Sequence, residues 1–270
     1  MLNPIVKINI FKKMKEIFKK NLVIQSSEIS DNNQLGLAKL IDYLNNTAGY
    51  HSDSIGYSFE SLWKRGYCWI LLSWNISIDR LPQLGEKIQI ETWVSQIKRC
   101  FAYREFLVRD NQKQIIVRAS SQWIFYDINK KRPAQIHSIF FDHWKINQEK
   151  ACPCSILNSS LLKKPVYQNK ESTFIIQQED IDILGHVHNS KYLDWVIKVK
   201  PKVIQQQYDL TYLQILYHHE ITYPGEIIIK QNIISPEDDY KQLIYDQIWD
   251  KNRPQISTEI VTQWKKHNCL

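Results

Sequence analysis

The chain of 270 residues has little glycine, little proline and no long apolar run. Seven glycines and nine prolines exclude a collagen-like or low-complexity protein. The longest apolar stretch, around Trp69-Ile70-Leu71-Leu72, is far short of the ~20 residues that span a bilayer, so no integral membrane segment is expected. The five cysteines, Cys68, Cys100, Cys152, Cys154 and Cys269, are odd in number and scattered, which argues against a disulfide framework. Cys152-Pro153-Cys154 has one residue between its thiols, where a common zinc or redox motif has two, and reads as a loop with incidental cysteines. A reducing compartment follows. The N-terminus lacks an apolar segment with a small-residue cleavage site, and is short and serine-poor for a plastid transit peptide. A cytoplasmic, bacterial-type location is therefore expected in preference to the plastid stroma. What the chain does have is 43% hydrophobic and 12% aromatic residues, enough for a substantial core and too many for global disorder. The net charge of +7 suits an acidic partner, and equally suits a soluble protein kept away from zero charge. No Gly-rich or recognition-helix motif supports nucleic-acid binding, and none is expected.

An internal repeat organises the rest. Ile24-Gln25-Ser26-Ser27-Glu28-Ile29-Ser30 resembles Ile176-Gln177-Gln178-Glu179-Asp180-Ile181-Asp182, and the same offset continues through Leu35/Val187 and Asp42-Tyr43/Asp194-Trp195. Gly85-Glu86-Lys87-Ile88 then matches Gly225-Glu226-Ile227-Ile228, and Ser121-Gln122-Trp123 matches Thr262-Gln263-Trp264, at a shorter offset. Three matches in one order, with one deletion, argue for two copies of one domain. Each copy reads as a strand, a helix and then strands. Leu37, Leu40, Ile41, Leu44 and Ala48 recur at helical spacing; strands are expected at 68–78, 87–94, 101–109 and 114–126. In the second copy the expected helix is 189–198 and the strands are about 212–222, 226–234, 240–250 and 255–265. Ile10, Phe11, Met14, Ile17 and Phe18 among lysines predict a basic amphipathic helix. The resulting division is an N-terminal extension over 1–20, a first domain over 21–140, a linker over 141–168 and a second domain over 169–270.

The densest chemistry lies in Asp180-Ile181-Asp182-Ile183-Leu184-Gly185-His186-Val187-His188-Asn189. Gly185 permits a turn, Asn189 or Ser190 can cap the following helix, and a histidine near a carboxylate is a common general-base arrangement. The same residues also fit a turn in which Asp and Asn only satisfy backbone donors. At the corresponding place the first copy has Ser30 and Gln34 instead of Asp182 and His186, as expected of a duplicated scaffold with one active copy or of simple drift. In Tyr217-His218-His219-Glu220, alternation along the expected strand puts His218 and Glu220 on one face; Glu220 reaches the His186 region if that strand lies beside the helix start, and a surface strand bearing polar residues is the other reading. A metal set of His186, His188, His218 and Glu220 fits no recurrent spacing, so no metal is expected.

These residues resemble the acyl–acyl carrier protein thioesterases of plant plastids and their bacterial relatives. The family's signature, Asp-x-Asp-x-Asn-x-His-Val-Asn-Asn-x-x-Tyr-x-x-Trp, is met by Asp180, Asp182, Gly185-His186-Val187, Asn189, Tyr192 and Trp195. The first copy contributes Trp69, Arg80-Leu81-Pro82, Gly85-Glu86, Thr92-Trp93, Arg104-Glu105-Phe106, Ala119-Ser120-Ser121-Gln122-Trp123 and Lys131-Arg132-Pro133, so the resemblance runs from about residue 20 to the C-terminus. It implies an α+β tandem double hot-dog fold, two copies of a long helix wrapped by an antiparallel sheet, with the acyl chain held in the first domain. It implies hydrolysis of a fatty acyl thioester in fatty acid biosynthesis. Acyl carrier protein would be the partner, a homodimer is possible, and no cofactor is needed because phosphopantetheine arrives with the carrier. By resemblance His186 is the catalytic histidine, Asp182 orients or polarises the site, Glu220 helps to activate water, and Asp180, His188 and Asn189 support them. Some members have a cysteine after that glutamate; Ile221 stands here. Leu184 stands where the family has asparagine, and its loss is expected to cost ~10²–10³-fold if that amide acts as an oxyanion donor. An acyl-CoA hydrolase and a non-catalytic acyl-carrier-binding protein are the alternatives.

Overall fold

The computed structural model describes residues 17–30, 32–136, 144–152, 166–234 and 240–267. In chain order the elements are β1 (Phe18–Val23), α1 (Leu37–Ser54), α2 (Phe59–Lys64), β2 (Tyr67–Ile78), β3 (Lys87–Lys98), β4 (Phe101–Arg109), β5 (Ile115–Asp127) and β6 (Arg132–Pro133), then β7 (Val166–Ile175), α3 (Lys191–Lys198), α4 (Lys202–Gln207), β8 (Tyr208–Tyr217), β9 (Glu226–Ile234), β10 (Lys241–Asp250) and β11 (Gln255–Lys266). The strands form one sheet in the order β1-β3-β4-β5-β2-β8-β11-β10-β9-β7, with β6 on β5. The first half, read from its edge inward, repeats in the second half. The halves join where β2 pairs antiparallel with β8, Asn75 opposite Gln214 at the middle of the shared register.

The helices follow from apolar spacing. Leu40, Ile41, Leu44 and Ala48 on α1 are buried, and α3 buries Tyr192, Leu193, Trp195 and Val196. Both faces join a single apolar cluster with Trp74 and Ile76 of β2, Phe106 of β4 and Ile215 of β8. Each fully buried Leu or Ile contributes ~1.5–3 kcal/mol, so one cluster crossing the junction ties the halves together. This is an α+β architecture of one sheet in two repeated halves, with α1 packed in the first and α3 in the second.

Three local expectations are corrected. The amphipathic helix expected around residues 10–18 falls largely outside the described residues, but Phe18 is not helical. It opens β1, whose alternating pattern pairs with β3, Phe18 opposite Thr92, so residues 18–20 belong to the sheet. The second helix is short: α3 starts at Lys191 and ends at Lys198, and Pro201, which cannot donate a backbone N–H, separates it from α4. The strand expected over 212–222 instead spans Tyr208–Tyr217, because the N–H groups of both His218 and His219 turn to the one carbonyl of Ser257. His218 and Glu220 therefore do not share a strand face. Of the expected linker, residues 153–165, including Pro153 and Cys154 of the Cys-Pro-Cys run, lie outside the described residues. Residues 144–152 pack on the first half: Trp93 Nε1 donates to the Glu149 carbonyl at 2.9 Å, and Lys150 pairs with buried Glu105 at 3.0 Å.

Two polar pairs are buried in this apolar frame. Lys200 and Asp246 form an ion pair in which neither side chain is exposed, and Gln231 Nε2 donates to the other Asp246 oxygen at 3.1 Å. Burial pushes Lys200 down and Asp246 up, while their mutual attraction opposes both shifts. On α1, the His51 ring stacks on Phe18 at 5.4 Å, and its Nδ1 lies 2.9 Å from Arg104 Nη1. A guanidinium only donates, so Nδ1 accepts and the imidazole is neutral. Burial, reinforced by the Arg104 charge, holds His51 down at about 3.

Removing one member of the buried ion pair strands the other charge. Lys200→Met is expected to lower stability by ~3–5 kcal/mol in urea unfolding, and Lys200→Met/Asp246→Leu to recover most of the loss. For His51 the unfolded chain takes up a proton near 6.5 that the folded chain refuses until about 3. Its contribution is complete above pH 6.5 and is lost as pH falls toward 3. Urea midpoints measured across that window are expected to fall less steeply in His51→Gln than in the wild type.

Candidate active site

The second-copy signature folds as a tight loop before α3. A single 3₁₀ turn at Gln178–Asp180 opens it, with Asp180 accepting from the Gln177 N–H at 2.9 Å. Asp180 is buried, and Lys191 pairs with it at 2.8 Å. Its carboxylate is thereby occupied in holding the loop to the first turn of α3. Asp182 closes the next turn: its N–H donates to the His186 carbonyl at 2.8 Å, and its Oδ1 accepts from the N–H groups of Leu184 at 2.8 Å and His186 at 3.1 Å. Gly185 sits at φ +84°, a left-handed conformation that glycine adopts without strain. The Leu184 side chain is exposed, so the residue contributes its backbone N–H to the turn and not a polar side chain.

The first copy has the same frame. The pairing of Ile181 with Val187 repeats that of Ile29 with Leu35, and His186 opposite Thr222 repeats Gln34 opposite Gln83. Ser30 N–H donates to the Gln34 carbonyl at 2.8 Å, as Asp182 does to His186, and Asn33 holds φ +62° where Gly185 has its positive φ. Val187 N–H reaches Ile221 O as Leu35 N–H reaches Pro82 O. Glu220, just before Ile221, thus corresponds to Leu81. One backbone frame therefore carries Ser30, Gln34 and Leu81 in one copy and Asp182, His186 and Glu220 in the other.

His186 Nε2 lies 3.2 Å from Glu220 Oε2, with the histidine side chain 31% and the glutamate 54% exposed. The two reach each other because the Val187 N–H to Ile221 carbonyl bond, at 2.9 Å, pins the loop to the segment that follows β8. His188 and Asn189 do not join the pair: His188 is exposed, and Asn189 offers its carbonyl to the Tyr217 hydroxyl at 3.0 Å. His218 turns to Glu259 at 2.7 Å, a separate pair. Ile221 is buried. Sequence reasoning missed the tyrosines beneath the loop. Tyr192 and Tyr217 meet edge to face at 5.8 Å, and burial pushes the Tyr192 phenol up to about 12. Tyr192 was visible only as part of the signature, and the i, i+3 pair Tyr192/Trp195 was the available sign that this face is packed.

A cavity of about 280 Å³ opens in the first half, between α1 and the sheet, with Ala48, Leu62, Trp69, Val94 and Ile97 among its walls. Cys68 lines the cavity, and its thiol is pushed up to about 11 by burial and, next, by the negative charge of Glu220. The His186–Glu220 pair therefore stands within electrostatic reach of the cavity wall. An exposed acid–base pair beside an apolar slot can deliver an activated water to a polar group whose apolar tail is held alongside.

Comparisons with known proteins point to one family. The acyl-ACP thioesterase N-terminal domain model matches residues 15–143, and the C-terminal domain model of the same family matches residues 163–266. A palmitoyl-acyl carrier protein thioesterase of Arabidopsis thaliana chloroplasts is 23% identical over 76% of this chain and 52% of its own length. The chain thus spans about half the length of the curated relatives it matches. Among solved structures, a Lactobacillus plantarum protein proposed to be an oleoyl thioesterase covers 94% of this chain and 98% of its own, at TM-score 0.84 and 23% identity. An acyl-ACP thioesterase of Bacteroides thetaiotaomicron covers 92% and 98%, at TM-score 0.78 and 22% identity, so the double hot-dog fold is shared. With both of its halves matched in order, this chain belongs to the acyl-ACP thioesterase family.

Proposed function

We propose that the protein is a cytoplasmic thioesterase that hydrolyses fatty acyl groups from acyl carrier protein, with His186 and Glu220 as its acid–base pair. The observation that carries this reading is the 3.2 Å contact of those two side chains beside a cavity of apolar walls. A thioester carbonyl needs an activated water and a place for the developing oxyanion. Glu220 and His186 take a proton from water as its oxygen attacks the carbonyl carbon. The N–H groups where the loop enters α3 stabilise the oxyanion. The carbon–sulfur bond then breaks, and the proton passes to the departing thiolate, so that acid and carrier thiol leave together. Asp182 acts through the backbone, holding the turn that presents His186. The acyl tail lies in the first-half cavity, and the net charge of +7 favours approach of an acidic carrier. Tetrahedral stabilisation at α3 does not require the side chain at position 184, and the exposed Leu184 is compatible with turnover.

Activity on acyl-carrier thioesters is expected to fall ~10²–10⁴-fold in His186→Ala and in Glu220→Gln, with carrier binding retained. If turnover persists in both variants, the assignment fails. Asp182→Asn keeps an oxygen that accepts the Leu184 and His186 N–H groups, so it is expected to retain much more activity than Asp182→Ala. Equal losses in the two Asp182 variants would give the carboxylate's charge a direct part in the chemistry. The same substrates presented on CoA measure the preference for the carrier.

A further inference from the structure

The first-half cavity is not purely apolar. Arg104 points into it from β4 and is 5% exposed. Its Nη1 donates to His51 Nδ1 at 2.9 Å and to Thr92 Oγ1 at 3.5 Å, and its guanidinium carbon lies 5.0 Å from the centre of the Trp144 ring. Among the described residues no carboxylate pairs with it: Asp53, the acidic group on the cavity wall, is exposed and makes no ion pair with Arg104. The Nε and Nη2 hydrogens of Arg104 likewise have no acceptor among the described residues. Burial lowers Arg104 to about 9, the sign of a cation without a compensating anion. A second polar group faces the same space. Asn45, on the cavity side of α1, has its side-chain Oδ1 buried with no donor.

An unpaired buried acceptor such as Asn45 Oδ1, and guanidinium hydrogens left without an acceptor, are costly once the cavity is filled, and neither group serves the acid–base pair. An unsubstituted alkyl chain would fill the cavity and leave both unpaired. We propose that the cavity selects acyl chains that carry a hydroxyl group, which accepts from the Arg104 guanidinium or donates to Asn45 Oδ1. A keto oxygen serves only Arg104, whereas a hydroxyl is complementary to both. A hydroxyl on the entering chain supplies the hydrogen bonds that a bound water would otherwise have to make. This inference rests on the thioesterase reading for its substrate class, but the cavity's selectivity is also measurable without hydrolysis.

The test uses the full chain and acyl-carrier thioesters of equal length, either unsubstituted or bearing one hydroxyl or one keto group at successive positions. The corresponding free acids are titrated by calorimetry. For the best-placed hydroxyl, kcat/KM is expected to exceed that of the unsubstituted chain by about tenfold or more, with the free hydroxy acid binding tighter by a similar factor. Arg104→Met, which fills the space with an apolar side chain, is expected to abolish or reverse the preference. Asn45→Leu is expected to reduce it. A wild type that treats hydroxylated and unsubstituted chains alike, or prefers the unsubstituted chain, overturns the proposal. So does an Arg104→Met variant that slows all chains equally, or a keto chain that matches the hydroxyl at every position. If no thioester turns over, the thioesterase reading fails; tighter binding of the hydroxy acids then still supports the cavity assignment, and equal binding overturns it.

Discussion

The pairing of β2 with β8 is the constraint on which the rest depends. Its antiparallel register runs from Ser73 opposite Leu216 to Ser77 opposite Tyr212. Following it outward brings the start of β2, where Cys68 and Trp69 line the cavity, toward the segment after β8, where Glu220 lies. A slip of one residue would turn the alternating core positions Trp74, Ile76, Leu213 and Ile215 to the wrong face, so burial fixes the register strongly. The apolar slot belongs to one half and the acid–base pair to the other. Only the junction brings them together.

The duplicated loop shows one backbone frame carrying two different sets of side chains. Both copies spend the same backbone hydrogen bonds on the turn, and both place a residue in the left-handed region at its tip. Among the differences are the three side chains Asp182, His186 and Glu220, set on a shared frame. Asp182 illustrates the economy: one carboxylate oxygen fixes two N–H groups of the turn, which orients His186 without contact between the two side chains.

Much of the fold was legible in the sequence because its signals are local or repeated. Leu40, Ile41, Leu44 and Ala48 announced α1 by spacing, and the strand limits of β4 and β9 agree with the apolar runs. The repeat was legible because both copies must make the same turn. Features set by partners distant in the chain were not legible. Phe18 looked helical among lysines, yet the free edge of β3 took it as a strand. The departure of His218 and His219 from β8 is decided by the Ser257 carbonyl, on another strand, so alternation put His218 and Glu220 on one face where the structure separates them. In the site, Asp182, His186 and Glu220 stood out by residue type. The structural use of Asp180 depended on Lys191 being close enough to pair with it, and the polar lining of the cavity depended on bringing α1 against β4.

The near-symmetric junction at Asn75 and Gln214 also bears on how the chain tolerates change. In a dimer of identical subunits every substitution appears at both loops, so the demands of chemistry and of folding stability fall on one residue together. Joined in a single polypeptide, the loops are free to part company. The loop with Ser30 and Gln34 can keep choices that favour a well-made turn, while the loop with Asp182 and His186 carries the partly exposed histidine proposed for the chemistry. Two nearly identical pieces of backbone therefore need not carry the same side chains, and a substitution in one leaves the other as it was.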